Sequence, residues 1–138
     1  GRILVDGLYD LIEEPNEREL ALIDRYANKT ANDVTEIYNL QLPILKEERS
    51  EFLKRFYFEP AMNIEGLGTG YQGQGVKTIL PAEARAKMEV RLVPGLEPKQ
   101  VLELIRAQLD KNGFEKIDLV YTLGEMSYRK SKRFTNYL

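Results

Sequence analysis

The chain has no cysteine and no histidine. Without cysteine there can be no disulfide, no thiolate nucleophile and no thiolate metal site. Without histidine the commonest zinc ligand and the commonest general base are both missing. Chemistry done by this chain alone would fall to carboxylates, lysine, tyrosine or hydroxyls, and the sequence does not read as that of a complete enzyme. No apolar run approaches the roughly 20 residues that cross a bilayer, and no signal peptide is visible. The expected location is cytoplasmic, with no membrane partner. A strong charge of either sign is also lacking: the formal net charge is -2. The basic run Arg129-Lys130-Ser131-Lys132-Arg133 reads as a solvated tail or helix start, and nucleic acid is not expected as a partner.

What is present is ordinary for a globular domain. Hydrophobic residues make up 43% and charged residues 30% of 138 positions, enough for one domain with its own core. The first half reads as a short strand followed by helices. Ile3-Leu4-Val5 is a brief apolar run ended by the turn signal Asp6-Gly7. Asn16, with Glu19 three residues on, has the pattern of a capping box. Leu20, Ile23, Tyr26 and Ala27 then form an apolar stripe at helical spacing. Thr30 is expected to cap a second helix carrying Val34, Ile37 and Tyr38. Pro43 interrupts the stretch after it, and a third helix is expected from Lys46 to Tyr57, burying Phe52, Leu53 and Phe56.

After about residue 58 the period changes from 3.6 to 2. Met62 and Ile64 alternate with Asn63 and Glu65 in a short strand. In a longer one, Ala84, Ala86, Met88, Val90 and Leu92 share one face, while Glu83, Arg85, Lys87, Glu89 and Arg91 share the other. This predicts an antiparallel strand with helices over one face. Glu97-Pro98 opens a helix with proline in its first turn. Val101, Leu102, Ile105 and Leu109 are its buried stripe, and Asn112-Gly113 its stop. Ile117, Leu119, Tyr121 and Leu123 alternate as a final strand. The order strand, strand, helix, strand is that of an α+β, ferredoxin-like antiparallel sheet with helices on one face, lacking its first strand and helix. An edge without that first strand would be covered by strand pairing across a dimer or by another segment such as Ile3 to Val5.

Between the first two strands of this half runs Gly66-Leu67-Gly68-Thr69-Gly70-Tyr71-Gln72-Gly73-Gln74-Gly75. Gly68, Gly70 and Gly73 satisfy G-x-G-x-x-G, but that motif binds a pyrophosphate only where a helix opens behind it. Here the chain continues through Ile79-Leu80-Pro81 into the long strand. Gly70, Gly75, Lys77 and Thr78 imitate a P-loop, but Val76 separates glycine from lysine and again no helix follows. Both nucleotide readings are excluded. Thr78, leaving this loop, and Arg91, near the end of the long strand, remain as polar candidates. A guanidinium on a strand face is ordinarily solvated; when fixed, it takes a carboxylate in two parallel hydrogen bonds.

The segments Asn63-Ile64-Glu65-Gly66, Gly75-Val76-Lys77-Thr78-Ile79-Leu80-Pro81 and Arg91-Leu92-Val93-Pro94-Gly95, in this order, resemble one family. It comprises the zinc metallopeptidases that include carnosinase-like dipeptidases, aminoacylases and succinyl-diaminopimelate desuccinylase, and the likeness is greatest to the dipeptidase branch. What is matched is the lid, or dimerisation, domain. The resemblance implies a parent enzyme holding two zinc ions in a separate catalytic domain. It further implies a lid that forms a homodimer through its sheet and helices and closes over a dipeptide or N-acyl amino acid. By the same resemblance Thr78 reaches the partner subunit's site and Arg91 binds the substrate carboxylate. Residues 1–58 then form the lid's strand and helical insertion, 59–124 its ferredoxin-like core, and 125–138 a segment leading back towards the catalytic domain. The chain alone is expected to be inactive and to hold no cofactor. A different class of reading is an independent ferredoxin-like module that binds a small ligand or another protein, since fold alone does not imply function.

Overall fold

A computed structural model describes residues 2–39 and 49–125. Among them the architecture is α+β: three α-helices and a two-stranded antiparallel sheet. The chain falls into two compact units, Gly1–Ile3 with Pro60–Arg91, and Leu4–Glu59 with Leu92–Leu138.

In the larger unit, helix α1 spans Glu17–Ile37. Its start is the expected capping box: the Asn16 side chain accepts from the Glu19 amide at 3.1 Å, and the Glu19 carboxylate accepts from the Asn16 amide at 2.8 Å. Two amides that the first turn leaves without helical partners are thereby satisfied. The expected break at Thr30 does not occur. Ile23, Ala27 and Val34 are buried along one stripe, and no proline or glycine interrupts it, so one helix is the cheaper solution. Helix α2, Arg49–Phe58, packs on α1, and Leu53 completes a core with Ile23 and Ala27, flanked by Phe52 and Phe58. Phe56 is exposed rather than buried. Its ring instead meets Tyr38, Phe52 and Tyr57 at centroid separations of 6.4, 6.0 and 5.2 Å, within the range of favourable aromatic pairs. Pro43 and residues 46–48 of the expected third helix lie outside the described residues.

Ile3-Leu4-Val5 forms no strand; the segment leads into a short 3-10 turn at Tyr9–Leu11. Asp6 is tied to the distant helix α3, Pro98–Lys111: its amide donates to Gln108 Oε1 at 3.1 Å, and its carboxylate pairs with Lys111. Helix α3 begins with Pro98 as expected and buries Val101. Its end is a complete Schellman motif. Phe114 N–H donates to the Leu109 carbonyl and Gly113 N–H to the Asp110 carbonyl, with Gly113 at φ 81°, which satisfies two carbonyls of the last turn. Arg106 then holds the exit chain by donating to the carbonyls of Phe114 and Ile117 while pairing with Asp110 at 2.6 Å. Its Nε is buried without a hydrogen-bond partner.

The expected final strand at Ile117, Leu119, Tyr121 and Leu123 is not a strand among the described residues. Alternation gives a chain segment two faces, but a strand also needs a neighbouring ladder. Among the described residues the only ladder is β1–β2, and it does not include this segment. The segment expected to lead back, 125–138, lies outside the described residues from 126 onward.

The smaller unit is a hairpin of β1, Ala61–Thr69, and β2, Ala84–Arg91. The register runs from Ala61 opposite Arg91 to Thr69 opposite Ala84, with a bulge between Ile64 and Gly66. That extra residue decides which face carries what. Without it, the face begun by Met62 and Ile64 would continue through Gly66 and Gly68. With it, Leu67 and Thr69 take those places opposite Ala86 and Ala84. One face is therefore apolar along the ladder, while Arg85, Lys87, Glu89 and Arg91 share the other. The apolar face is exposed over Ile64, Leu67 and Met88, which are 61%, 71% and 53% accessible, and half-buried at Met62 and Val90.

Candidate functional site

The two polar candidates both belong to the hairpin unit, and the ladder separates the places from which they extend. Arg91 stands at the end where β2 pairs with Ala61; the loop carrying Thr78 springs from the opposite end, between Thr69 and Ala84. From Ala84 to Arg91 the extended backbone spans roughly 23 Å. No described contact joins the two side chains, so they do not form one constellation through direct contact.

Arg91 is 69% exposed and donates from Nε to Glu89 Oε1 at 2.7 Å. Residues 89 and 91 lie on the same strand face because side chains alternate with period 2. The bond takes Nε, whereas a bidentate clamp can use the paired Nη nitrogens at the far edge of the guanidinium. Glu89 was legible in the sequence from its place two positions before Arg91, yet sequence reasoning did not single it out. After Arg91, Val93-Pro94-Gly95-Leu96 forms a tight turn, closed by Leu96 N–H to the Val93 carbonyl at 3.1 Å. Proline at the second position and glycine at the third, with φ 96°, are the residues that a type II turn requires. The Pro94 carbonyl then accepts from Glu13 N–H at 3.0 Å. Pro94-Gly95 therefore has a structural reason to follow the strand.

Thr78 is at the apex of a one-residue kink: Ile79 N–H donates to the Lys77 carbonyl at 3.1 Å, which is a γ-turn centred on Thr78. The loop around it is braced. At its base, Thr69 Oγ1 donates to the Glu83 carbonyl at 3.4 Å. Within it, Tyr71 Oη donates to the Gln74 carbonyl at 3.0 Å, and Lys77 Nζ lies 5.7 Å from the centre of the Tyr71 ring. No helix follows the glycines, in agreement with exclusion of both nucleotide motifs.

Neither candidate belongs to the open groove of about 440 Å³ beside α3, which is lined by residues of the larger unit. Among the described residues no three carboxylates come together as a metal site, and the chain offers neither histidine nor cysteine. The described residues do not fit a zinc pair. No described helix is long and apolar enough to cross a membrane.

Comparison with known proteins adds family and fold. Residues 8–116 match the model of the M20 peptidase dimerisation domain. The Beta-Ala-His dipeptidase of Mus musculus is 29% identical across the whole chain, which covers 29% of that protein. The Cys-Gly metallodipeptidase DUG1 of Candida albicans is 27% identical over 76% of the chain and 21% of its own length. Among solved structures, the M20 family metallo-carboxypeptidase Sso-CP2 of Sulfolobus solfataricus aligns with a TM-score of 0.66 and 35% identity, over 83% of this chain and 26% of that one. Human carnosine dipeptidase 1 shares the fold at a TM-score of 0.66 and 22% identity, over 84% of this chain and 24% of its own. The chain thus spans less than a third of these relatives.

Proposed function

Because this chain belongs to the M20 peptidase dimerisation-domain family, we propose that it is the lid and dimerisation module of a zinc dipeptidase or N-acyl amino acid deacylase. In this reading a pair of zinc ions sits in a catalytic domain formed by other segments. The present chain contributes to closure over the substrate, not to metal binding or water activation. The relatives named as dipeptidases and metallodipeptidases support that substrate class and that metal dependence. The hairpin and α3 are the part of a ferredoxin-like lid that this chain supplies, and the parent is a cytoplasmic homodimer joined through lid sheet and helices.

The observation that carries the reading is the placement of Arg91 at one end of the β1–β2 ladder and of the Thr78 loop at the other. Arg91, steadied at Nε by Glu89, takes the substrate carboxylate. Thr78, at the apex of its turn, extends to the partner subunit's site. In a dimerising lid, two copies would let these two ends serve the sites of both subunits. Water is excluded and the substrate oriented when such a lid closes. In the full-length enzyme, Arg91→Ala should raise the barrier by about 2–4 kcal/mol through loss of a charged substrate clamp. The check is kcat/KM on dipeptides and N-acyl amino acids; an unchanged value would remove Arg91 from the site.

A further inference from the structure

The glycine loop holds one aromatic side chain, Tyr71, and three observations make it the loop's internal brace. Its hydroxyl donates to the Gln74 carbonyl at 3.0 Å. Its ring end lies against Gly73 so closely that a Cβ there would come 2.5 Å from Oη, 2.7 Å from Cζ and 2.9 Å from Cε2. Lys77 Nζ stands over the ring at 5.7 Å, within cation–π range. A side chain at Gly73 would therefore displace the ring that spans the turn. Lys77 is also the residue whose carbonyl closes the γ-turn around Thr78. Tyr71 thus touches residues 73, 74 and 77, and the last of these leads directly into Thr78.

We propose that Tyr71 is a positioning residue for Thr78, holding the glycine-rich loop in the conformation that presents the Thr78 hydroxyl to the partner subunit's site. This rests on the role assigned above to Thr78, and it adds a residue that acts only through it. An unbraced loop containing Gly70, Gly73 and Gly75 would spread over many conformations. Presentation of Thr78 would then cost ordering entropy at each closure.

The test uses the full-length enzyme with Thr78→Val, Tyr71→Ala, Tyr71→Phe, Gly73→Ala and the pair Tyr71→Ala/Thr78→Val. Two readouts are taken: kcat/KM on a dipeptide, and the rate at which trypsin cuts after Lys77, followed by mass spectrometry of that one product. Tyr71→Ala and Gly73→Ala should lower kcat/KM about tenfold, the cost of a displaced positioning group. Tyr71→Phe, which keeps the ring on Gly73 and beneath Lys77, should recover most of the loss. The double variant should fall no further than Thr78→Val alone, because coupled residues are not additive. Cleavage after Lys77 should quicken about fivefold in Tyr71→Ala as local opening becomes easier. Wild-type cleavage and wild-type kcat/KM in Tyr71→Ala would overturn the proposal, as would additive losses in the double variant. Faster cleavage together with a silent Thr78→Val would also overturn the role proposed for Tyr71 in presenting Thr78. That result would locate the failure in Thr78's assignment, since the brace itself would have been demonstrated.

Discussion

Individual residues here divide into those placed by backbone need and those placed by charge. Gly95 belongs to the first kind. At φ 96° an added Cβ would collide with the Leu11 carbonyl oxygen and come within 2.9 Å of the Glu13 amide nitrogen. Both neighbours are backbone, so they cannot swing aside. Gly95→Ala should therefore cost about 1–3 kcal/mol of stability, seen as a lower denaturation midpoint; an unchanged midpoint would mean the turn relaxes freely. Lys111 belongs to the second kind. Its hydrogen bond and attraction to the Asp6 carboxylate raise its pKa above the ordinary 10.5. A raised folded-state value means that stabilisation is fully present below the unfolded pKa and is lost as pH rises through the folded one. On the alkaline side, the tie between the N-terminal segment and α3 should accordingly loosen as pH rises above 10.5. Comparing pH-dependent melting of the chain with that of Asp6→Asn checks this, and identical alkaline profiles would contradict it.

At the scale of elements, local signals were legible where a few neighbouring residues decide the outcome. Asn16 and Glu19 announced the start of α1, and Asn112-Gly113 announced the end of α3, because capping is chemistry within one turn. Asn16→Ala should lower stability by about 1 kcal/mol, with a matching loss of helical circular dichroism on mild heating; no change would show that α1 is held by its packing alone. Thr30 misled because a residue suited to a cap does not end a helix whose apolar stripe continues to Val34. The bulge at Glu65 was hidden for a different reason. Alternation in Met62, Ile64 and then Leu67 shows a slip of phase, but only the partner strand reveals that one residue is left unpaired.

For the whole molecule, the exposed apolar face of Ile64, Leu67 and Met88 is the kind of surface that isolated soluble chains seldom leave uncovered. The isolated chain should associate as its concentration rises, and Met88→Glu should weaken that association. Analytical ultracentrifugation decides the matter; equal masses for both proteins at every concentration would separate this face from the interface. The order of residues was enough to settle the α+β class, the start of α1, both ends of α3, the two strands of the hairpin and the family. Those depend on periodicity, caps and motif order, all of which are local. Packing was needed to settle that Ile117 to Leu123 pairs with no strand among the described residues and that Phe56 joins an exposed aromatic cluster. It likewise settled that Tyr71 braces the loop before Thr78, and that Thr78's loop and Arg91 extend from opposite ends of one ladder. Each of these depends on which distant residue stands opposite, and that is set when separate segments pack, not by the order of residues along any one of them.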